Sequence, residues 1–183
     1  NMSTFLERAE AQQNDLRAEL HSRALTFASL AHKGQVRKYT GEAYIVHPID
    51  VSMMVMYYTD DMDVIIASLF HDIVEDTDVP LERIVEEFGV EVGILVDELT
   101  DKSRPEDGNR AIRKAIDRDR LQQVSADAQT IKYADLISNS GSIAVHDPDF
   151  WKVYKEEKRA LLDVMIDGHP DLRRRAYTMI GGL

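Results

Sequence analysis

Three short stretches hold side chains that packing alone does not explain. They are Tyr44-Ile45-Val46-His47-Pro48, Phe70-His71-Asp72-Ile73-Val74-Glu75-Asp76 and Lys132-Tyr133-Ala134-Asp135-Leu136-Ile137-Ser138-Asn139. In the second, a His-Asp pair and two further carboxylates close the most apolar run of the chain. Polar groups in such a place are costly to desolvate unless a cation or a partner satisfies them. Anionic side chains at a helix C-terminus also oppose its dipole. His47, His71, Asp72 and Asp135 together offer two imidazoles and two carboxylates. The chain has no cysteine, so thiolates are excluded, and this N/O set suits Mn²⁺, Fe²⁺ or Zn²⁺. Glu75 lies four residues after His71 and Asp76 four after Asp72, so a helix would put each pair on one face. A carboxylate one turn beyond a metal can accept or orient the proton of an attacking water. Lys33, Arg37, Lys38 and Lys132 add cations suited to a phosphate-rich substrate. Asn139 follows Asp135 by one turn on the same face.

The elements that must position these groups read as helices. Ser3 to about Leu20 is polar with Phe5, Leu6, Ala9, Leu16 and Leu20 on one side, and His21–Ala31 forms a second helix with a buried face. Gly34 and Thr40-Gly41 predict a loop over Lys33–Ile45. Pro48 suits the first turn of a helix running to about Tyr57. Asp60 or Asp61 caps the next, which is apolar nearly all round from Val64 to Val74 and therefore central. Thr77-Asp78-Val79-Pro80 ends it. Two short helices follow, Leu81–Phe88 and Val90–Leu99, divided at Gly89. Beyond a polar loop over Lys102–Gly108 come helices over Arg113–Val124, Ala126–Asn139 with a break at Gly141, Trp151–Ile166 and Pro170–Ile180. The reading is a single all-α domain over 1–183, without repeats or linkers.

Composition bounds the function. A chain of 183 residues and 20.8 kDa fits one domain, and it buries roughly 70% of its unfolded surface, which is a real core. With 22 basic and 33 acidic residues the net charge is −11. That disfavours a nucleic-acid polymer, which needs a broad basic face. No apolar run approaches the length of a membrane span and no apolar leader is visible, so the expected compartment is the cytoplasm.

The order H…HD…D is the signature of the HD-domain phosphohydrolases. Ala31-His32-Lys33-Gly34-Gln35-Val36-Arg37-Lys38, then Gly41-Glu42-Ala43-Tyr44-Ile45-Val46-His47-Pro48, then His71-Asp72-Ile73-Val74-Glu75-Asp76-Thr77 and Lys132 to Asn139 narrow the likeness further. This pattern, spanning about 23–166, resembles the hydrolase domain of RelA/SpoT proteins and the small alarmone hydrolases. The resemblance implies an HD-domain helical fold holding one Mn²⁺ on His47, His71, Asp72 and Asp135. It implies removal of the 3′-pyrophosphate from (p)ppGpp to give GDP or GTP. Glu75 and Asp76 match the pair that activates the attacking water. Arg37 and Lys38 match the loop against the nucleotide, Asn139 the residue near the ribose, and Ser142 a small hydroxyl residue of the site. Ala43, Tyr133, Leu136 and Ser140-Gly141 depart from the family pattern, outside the ligand set. Those departures bear on the base, so two substrate alternatives stand beside guanosine alarmones: (p)ppApp, and NADPH losing its 2′-phosphate. A non-catalytic nucleotide-binding module is a third reading, opposed by the complete set of six acidic and imidazole groups. The expected partner is a small nucleotide, with neither nucleic acid nor membrane.

Other conspicuous residues take structural readings. His32 is expected to support the site without being a ligand, Trp151 to anchor the core, and Met53-Met54-Val55-Met56-Tyr57-Tyr58 to form core or a helix interface.

Overall fold

A computed structural model describes residues 1–181. Ten α-helices follow in order: α1 (Met2–Ala31), α2 (Val46–Met56), α3 (Met62–Phe70), α4 (Ile73–Asp76), α5 (Leu81–Phe88), α6 (Val90–Leu99), α7 (Arg110–Leu121), α8 (Ala126–His146), α9 (Pro148–Val164) and α10 (Pro170–Met179). A 3₁₀ turn over Pro105–Asp107 precedes α7. No strand forms among the described residues. A single antiparallel bridge, Val36 with Ala43, ties the loop between α1 and α2.

The apolar character of α3 sets the architecture. Every residue from Val64 to Phe70 is buried, and α3 lies against α1, α2, α6 and α8. Asp61 caps it, accepting from the Asp63 amide at 2.9 Å, which supplies a partner to an otherwise unpaired first-turn N–H. Phe27, Phe70 and Phe88 close on one another at centroid distances of 4.8–5.3 Å, which locks α1 and α5 to the end of α3. The positive φ of Gly89, 98°, makes the corner between α5 and α6 without the steric cost a Cβ would add.

Three expected boundaries differ. The two N-terminal segments are one 30-residue helix, because nothing at His21 breaks the backbone. The apolar helix does not run on to Val74. It stops at Phe70, with His71 and Asp72 as a joint before α4. Side chains compete for the carbonyls of its last turn there, Ser68 Oγ bonding Ile65 O and His71 Nδ1 bonding Ser68 O. Gly141 does not end α8, which continues to His146; a glycine inside a helix costs only about 1 kcal/mol, and flanking packing overrides it.

Candidate metal centre

The joint between α3 and α4 is where the chemistry collects. His47 is the second residue of α2, His71 caps α3, Asp72 opens α4, and Asp135 faces inward from the middle of α8. One ligand atom from each lies within 4.8 Å of all the others. His47 Nε2 is 3.0 Å from Asp135 Oδ1 and 3.2 Å from His71 Nε2. His71 Nε2 is in turn 3.0 Å from Asp72 Oδ2. Both histidines are buried.

The outer hydrogen bonds decide whether this set fits a metal. His71 Nδ1 lies 2.7 Å from the Ser68 carbonyl, an acceptor only. The proton therefore sits on Nδ1, and the neutral ring turns the lone pair of Nε2 into the cluster. His47 Nδ1 lies 2.9 Å from Ser138 Oγ, a hydroxyl able to accept its proton. Two imidazole lone pairs and two carboxylates converging on one buried point repel one another unless a cation lies between them. Histidines oriented through their other nitrogen are the usual form of metal-binding imidazoles. The set fits a divalent metal bound through nitrogen and oxygen. The same carboxylates also draw a proton: burial works against a charged His71, yet Asp72 and Asp135 outweigh it and hold its pKa well above the ordinary value, so metal and proton compete for Nε2. Asp135, for which burial would favour the neutral acid, is held far below its ordinary range by Lys132 and the two histidines.

The remaining expected residues distribute around this centre. Asp76 Oδ2 lies 3.4 Å from the Tyr44 hydroxyl, which also donates to Asp72 Oδ2 at 2.5 Å. Glu75 accepts the Asp101 amide. Burial, and next the Asp101 carboxylate, raise its pKa from 4.5 to about 7, against the Asp101 N–H and Lys132. Burial and Asp72 raise Asp76 as well. Both carboxylates line an open cleft with Lys33, Gln35 and Thr77. On the other side of His47 a second cleft is lined by Arg37, Ile49, Met53, Ser138 and Ser142. Arg37 donates to Asn139 Oδ1 at 2.7 Å, and Asn139 Nδ2 donates to Asp135 Oδ1 at 3.0 Å. Arginine, amide and candidate ligand thus form one chain. Lys132 Nζ is paired with Asp135 Oδ2 at 2.8 Å.

Lys38 lies apart from this cluster. It is exposed and lies over the Tyr39 ring at 5.0 Å. In the bridged loop, neighbouring residues point to opposite sides, and Arg37 is the one that turns inward. His32 supports the site as expected, its Nδ1 2.8 Å from Gln35 Oε1, while Gln35 donates to the Asp76 carbonyl. Trp151 packs against the core. The Met-rich run splits, with Val55 buried and Met53 and Tyr57 exposed. Sequence reasoning missed Tyr44 as a site residue. Its only signal was its position inside the motif, three residues before His47.

A helical bundle with two histidines and two aspartates converging from two helices and the joint between α3 and α4 defines a class, and the chain belongs to the HD domain family, whose profile matches residues 24–147. Within that family its likeness is to alarmone enzymes. It is 32% identical over 139 residues to the human protein named guanosine-3′,5′-bis(diphosphate) 3′-pyrophosphohydrolase MESH1, covering 74% of this chain and 75% of that one. The Drosophila melanogaster protein of the same name is 35% identical over 130 residues, covering 69% and 71%. A Borreliella burgdorferi protein named guanosine-3′,5′-bis(diphosphate) 3′-pyrophosphohydrolase is 41% identical over 93 residues, 51% of this chain. This chain spans only 12–16% of the length of that relative and of those from Mycobacterium leprae and Aquifex aeolicus. A solved structure, described as a metazoan orthologue of SpoT that hydrolyses ppGpp, superposes with a TM-score of 0.78 at 28% identity, covering 90% of this chain and 97% of that one. No helix among the described residues is long and apolar enough to cross a membrane.

Proposed function

We propose that this chain is a metal-dependent pyrophosphohydrolase that removes the 3′-pyrophosphate of (p)ppGpp, giving GDP or GTP and pyrophosphate. The observation that carries this reading is the convergence of His47, His71, Asp72 and Asp135 within 4.8 Å beside a carboxylate pair and an arginine-lined cleft. The names of the alarmone-hydrolysing relatives support it. His47, His71, Asp72 and Asp135 hold the ion, which is Mn²⁺. When bound, the ion supplies positive charge that polarises phosphoryl oxygen and makes water a better nucleophile.

The protein's own groups do the rest. Glu75, raised to about 7, is suited to take a proton near neutrality. Asp76, held by Tyr44 on the side of Asp72, orients the water. Water oxygen bonds to the phosphorus attached to O3′, the O3′–P bond breaks, and O3′ leaves with a proton as the ribose hydroxyl. Arg37 and Ser142 line the cleft for the nucleoside, and Asn139 ties that cleft to Asp135.

A change of base is a second reading with its own observation. Leu136 is buried in the core where the resembled family carries a basic residue, so that contact to the nucleotide is absent. The test is product analysis with Mn²⁺ on ppGpp, ppApp and NADPH side by side. Release of pyrophosphate fastest from ppGpp is the expected result. Faster turnover of ppApp or NADPH would replace guanosine as the substrate, and no turnover of any would overturn the enzyme reading.

A further inference from the structure

The loop between α1 and α2 is tied to the C-terminal half of α8 at two points. Arg37 donates to Asn139 Oδ1 at 2.7 Å. Two residues on, the Tyr39 hydroxyl donates to Asp147 Oδ2 at 2.9 Å. The Tyr39 ring also stacks on His146, with 6° between the planes and centroids 6.0 Å apart. In extended chain, residues two apart face the same side, so Arg37 and Tyr39 turn to α8 together while Lys38 turns away. The loop is braced between these points. The Arg37 amide donates to the Glu42 carbonyl at 2.8 Å, and the Gly41 amide to the Arg37 carbonyl at 3.0 Å, beside the Val36–Ala43 bridge. The anchor is braced as well. Asp147 ends α8 and caps α9: its amide donates to the Ile143 carbonyl at 2.9 Å, and its Oδ1 accepts the Phe150 amide at 3.2 Å. Oδ2 is thereby left for Tyr39.

Asn139 and Asp147 stand about 12 Å apart along the helix axis. Asn139, Ser142 and His146 follow one another at helical spacing and share one face. The cleft beside His47 takes Arg37, Thr40 and Glu42 from the loop and Ser138 and Ser142 from α8. The loop is its roof and α8 its floor. Tyr39 and Asp147 do not line it.

We propose that Tyr39 is a positioning residue: its latch on Asp147 holds the loop so that the Arg37 guanidinium stands over the cleft, oriented for the nucleotide. The assignment rests on the pyrophosphohydrolase reading and deepens it. A ligand that takes the guanidinium competes with Asn139 for it, so the first tie is exchangeable. The second lies outside the cleft and persists through that exchange. Holding the roof in place before binding lowers the cost of ordering Arg37 when the ligand arrives. Tyr39 does not touch the ligand, so its whole effect passes through Arg37.

The test is a double-mutant cycle read by binding. GDP is titrated into the Mn²⁺-loaded protein, with Mn²⁺ in fixed excess and metal content checked. Tyr39→Phe removes the hydroxyl and keeps the ring. It is expected to weaken GDP about 3–10-fold, as loss of a partly exposed hydrogen bond to a carboxylate does, and to keep stoichiometric metal. With ppGpp the loss should fall on KM rather than kcat. In an Arg37→Ala background the same substitution is expected to change GDP affinity by less than about 2-fold. Hydrogen exchange of the Arg37 and Gly41 amides, measured without ligand, should be about 3–10-fold faster in Tyr39→Phe. Unchanged GDP affinity or unchanged exchange in Tyr39→Phe would overturn the latch. Equal loss of GDP in both backgrounds would overturn it too, since Tyr39 would then act without Arg37. A wild-type protein that binds no GDP, yet shows the exchange difference, would overturn the nucleotide reading and leave the latch standing.

Discussion

At the scale of single residues, the division between ligands and carboxylates beyond them is the feature most open to test. His47, His71, Asp72 and Asp135 share one point, whereas Glu75 is drawn off toward the Asp101 amide and Asp76 toward Tyr44. Replacing the pair together, Glu75→Gln with Asp76→Asn, should lower kcat by about 10²–10⁴-fold while bound metal stays stoichiometric. His71→Ala or Asp135→Ala should lose metal and turnover together, which metal analysis and rate measurements on the same samples would separate. A pH profile tests Glu75 alone. As a base it must be ionised, so kcat/KM should fall as pH drops through an inflection no higher than about 7, and Glu75→Gln should abolish that limb. The groups facing it are Asp101, Lys132 and Asp72. The stability sign is the reverse. A carboxyl raised from 4.5 to about 7 binds its proton more tightly in the folded state, so its contribution to folding diminishes as pH rises through that window.

At the scale of elements, periodicity carried most of the fold, because helices with one buried face write that face into the sequence. The central place of α3 was legible for that reason, and turn residues marked its cap, as Asp60 or Asp61, and the corner at Gly89. The joint at His71–Asp72 was not. It depends on Ser68 and His71 side chains capturing carbonyls, a tertiary choice invisible to a hydrophobic pattern. The expected pairing of Glu75 with His71 on one helical face therefore yields to a bent path in which Glu75 meets Asp101. The ligand set was readable because residue chemistry survives such bends; Tyr44 was not, because its value lies in two hydroxyl contacts made across the site. Glycines show the same division. A Cβ at Gly141 would meet only the Met179 methyl at 3.8 Å, whereas one at Gly168 would lie 2.4 Å from the Tyr133 ring and 2.9 Å from the Thr130 amide. Gly141→Ala should therefore stabilise by roughly 0.5–1 kcal/mol. Gly168→Ala should destabilise by about 1–3 kcal/mol, as an overpacked contact does. Denaturant melts of the two single variants would check both signs.

At the scale of the molecule, two features depart from a compact neutral body: the charged centre and the N-terminal half of α1. Metal binding to the folded state alone stabilises by about 2.7 kcal/mol at one hundred times Kd. Chelation should therefore lower Tm by roughly 5–10 °C in a chain of this size, and His71→Ala should show no such shift. The second feature is visible in the surface. The accessible area is 10282 Å², against about 8,900 Å² for a compact protein of this mass. The excess follows from α1, whose first fifteen residues, Met2–Leu16, are exposed throughout, while Ala24, Phe27 and Ala28 alone are buried. Arg17, donating to the Asp60 carbonyl at 2.7 Å, marks where the helix meets the body. An isolated helix of that length is marginal in water, so its free half adds little to the fold. Removal of residues 1–15 should leave Tm within about 1 °C, since no buried area is lost, and should leave metal content and turnover unchanged. A fall of several degrees would show that Phe5 and Leu6 are covered in solution. Sedimentation of the intact and shortened chains would then reveal whether a second copy covers them.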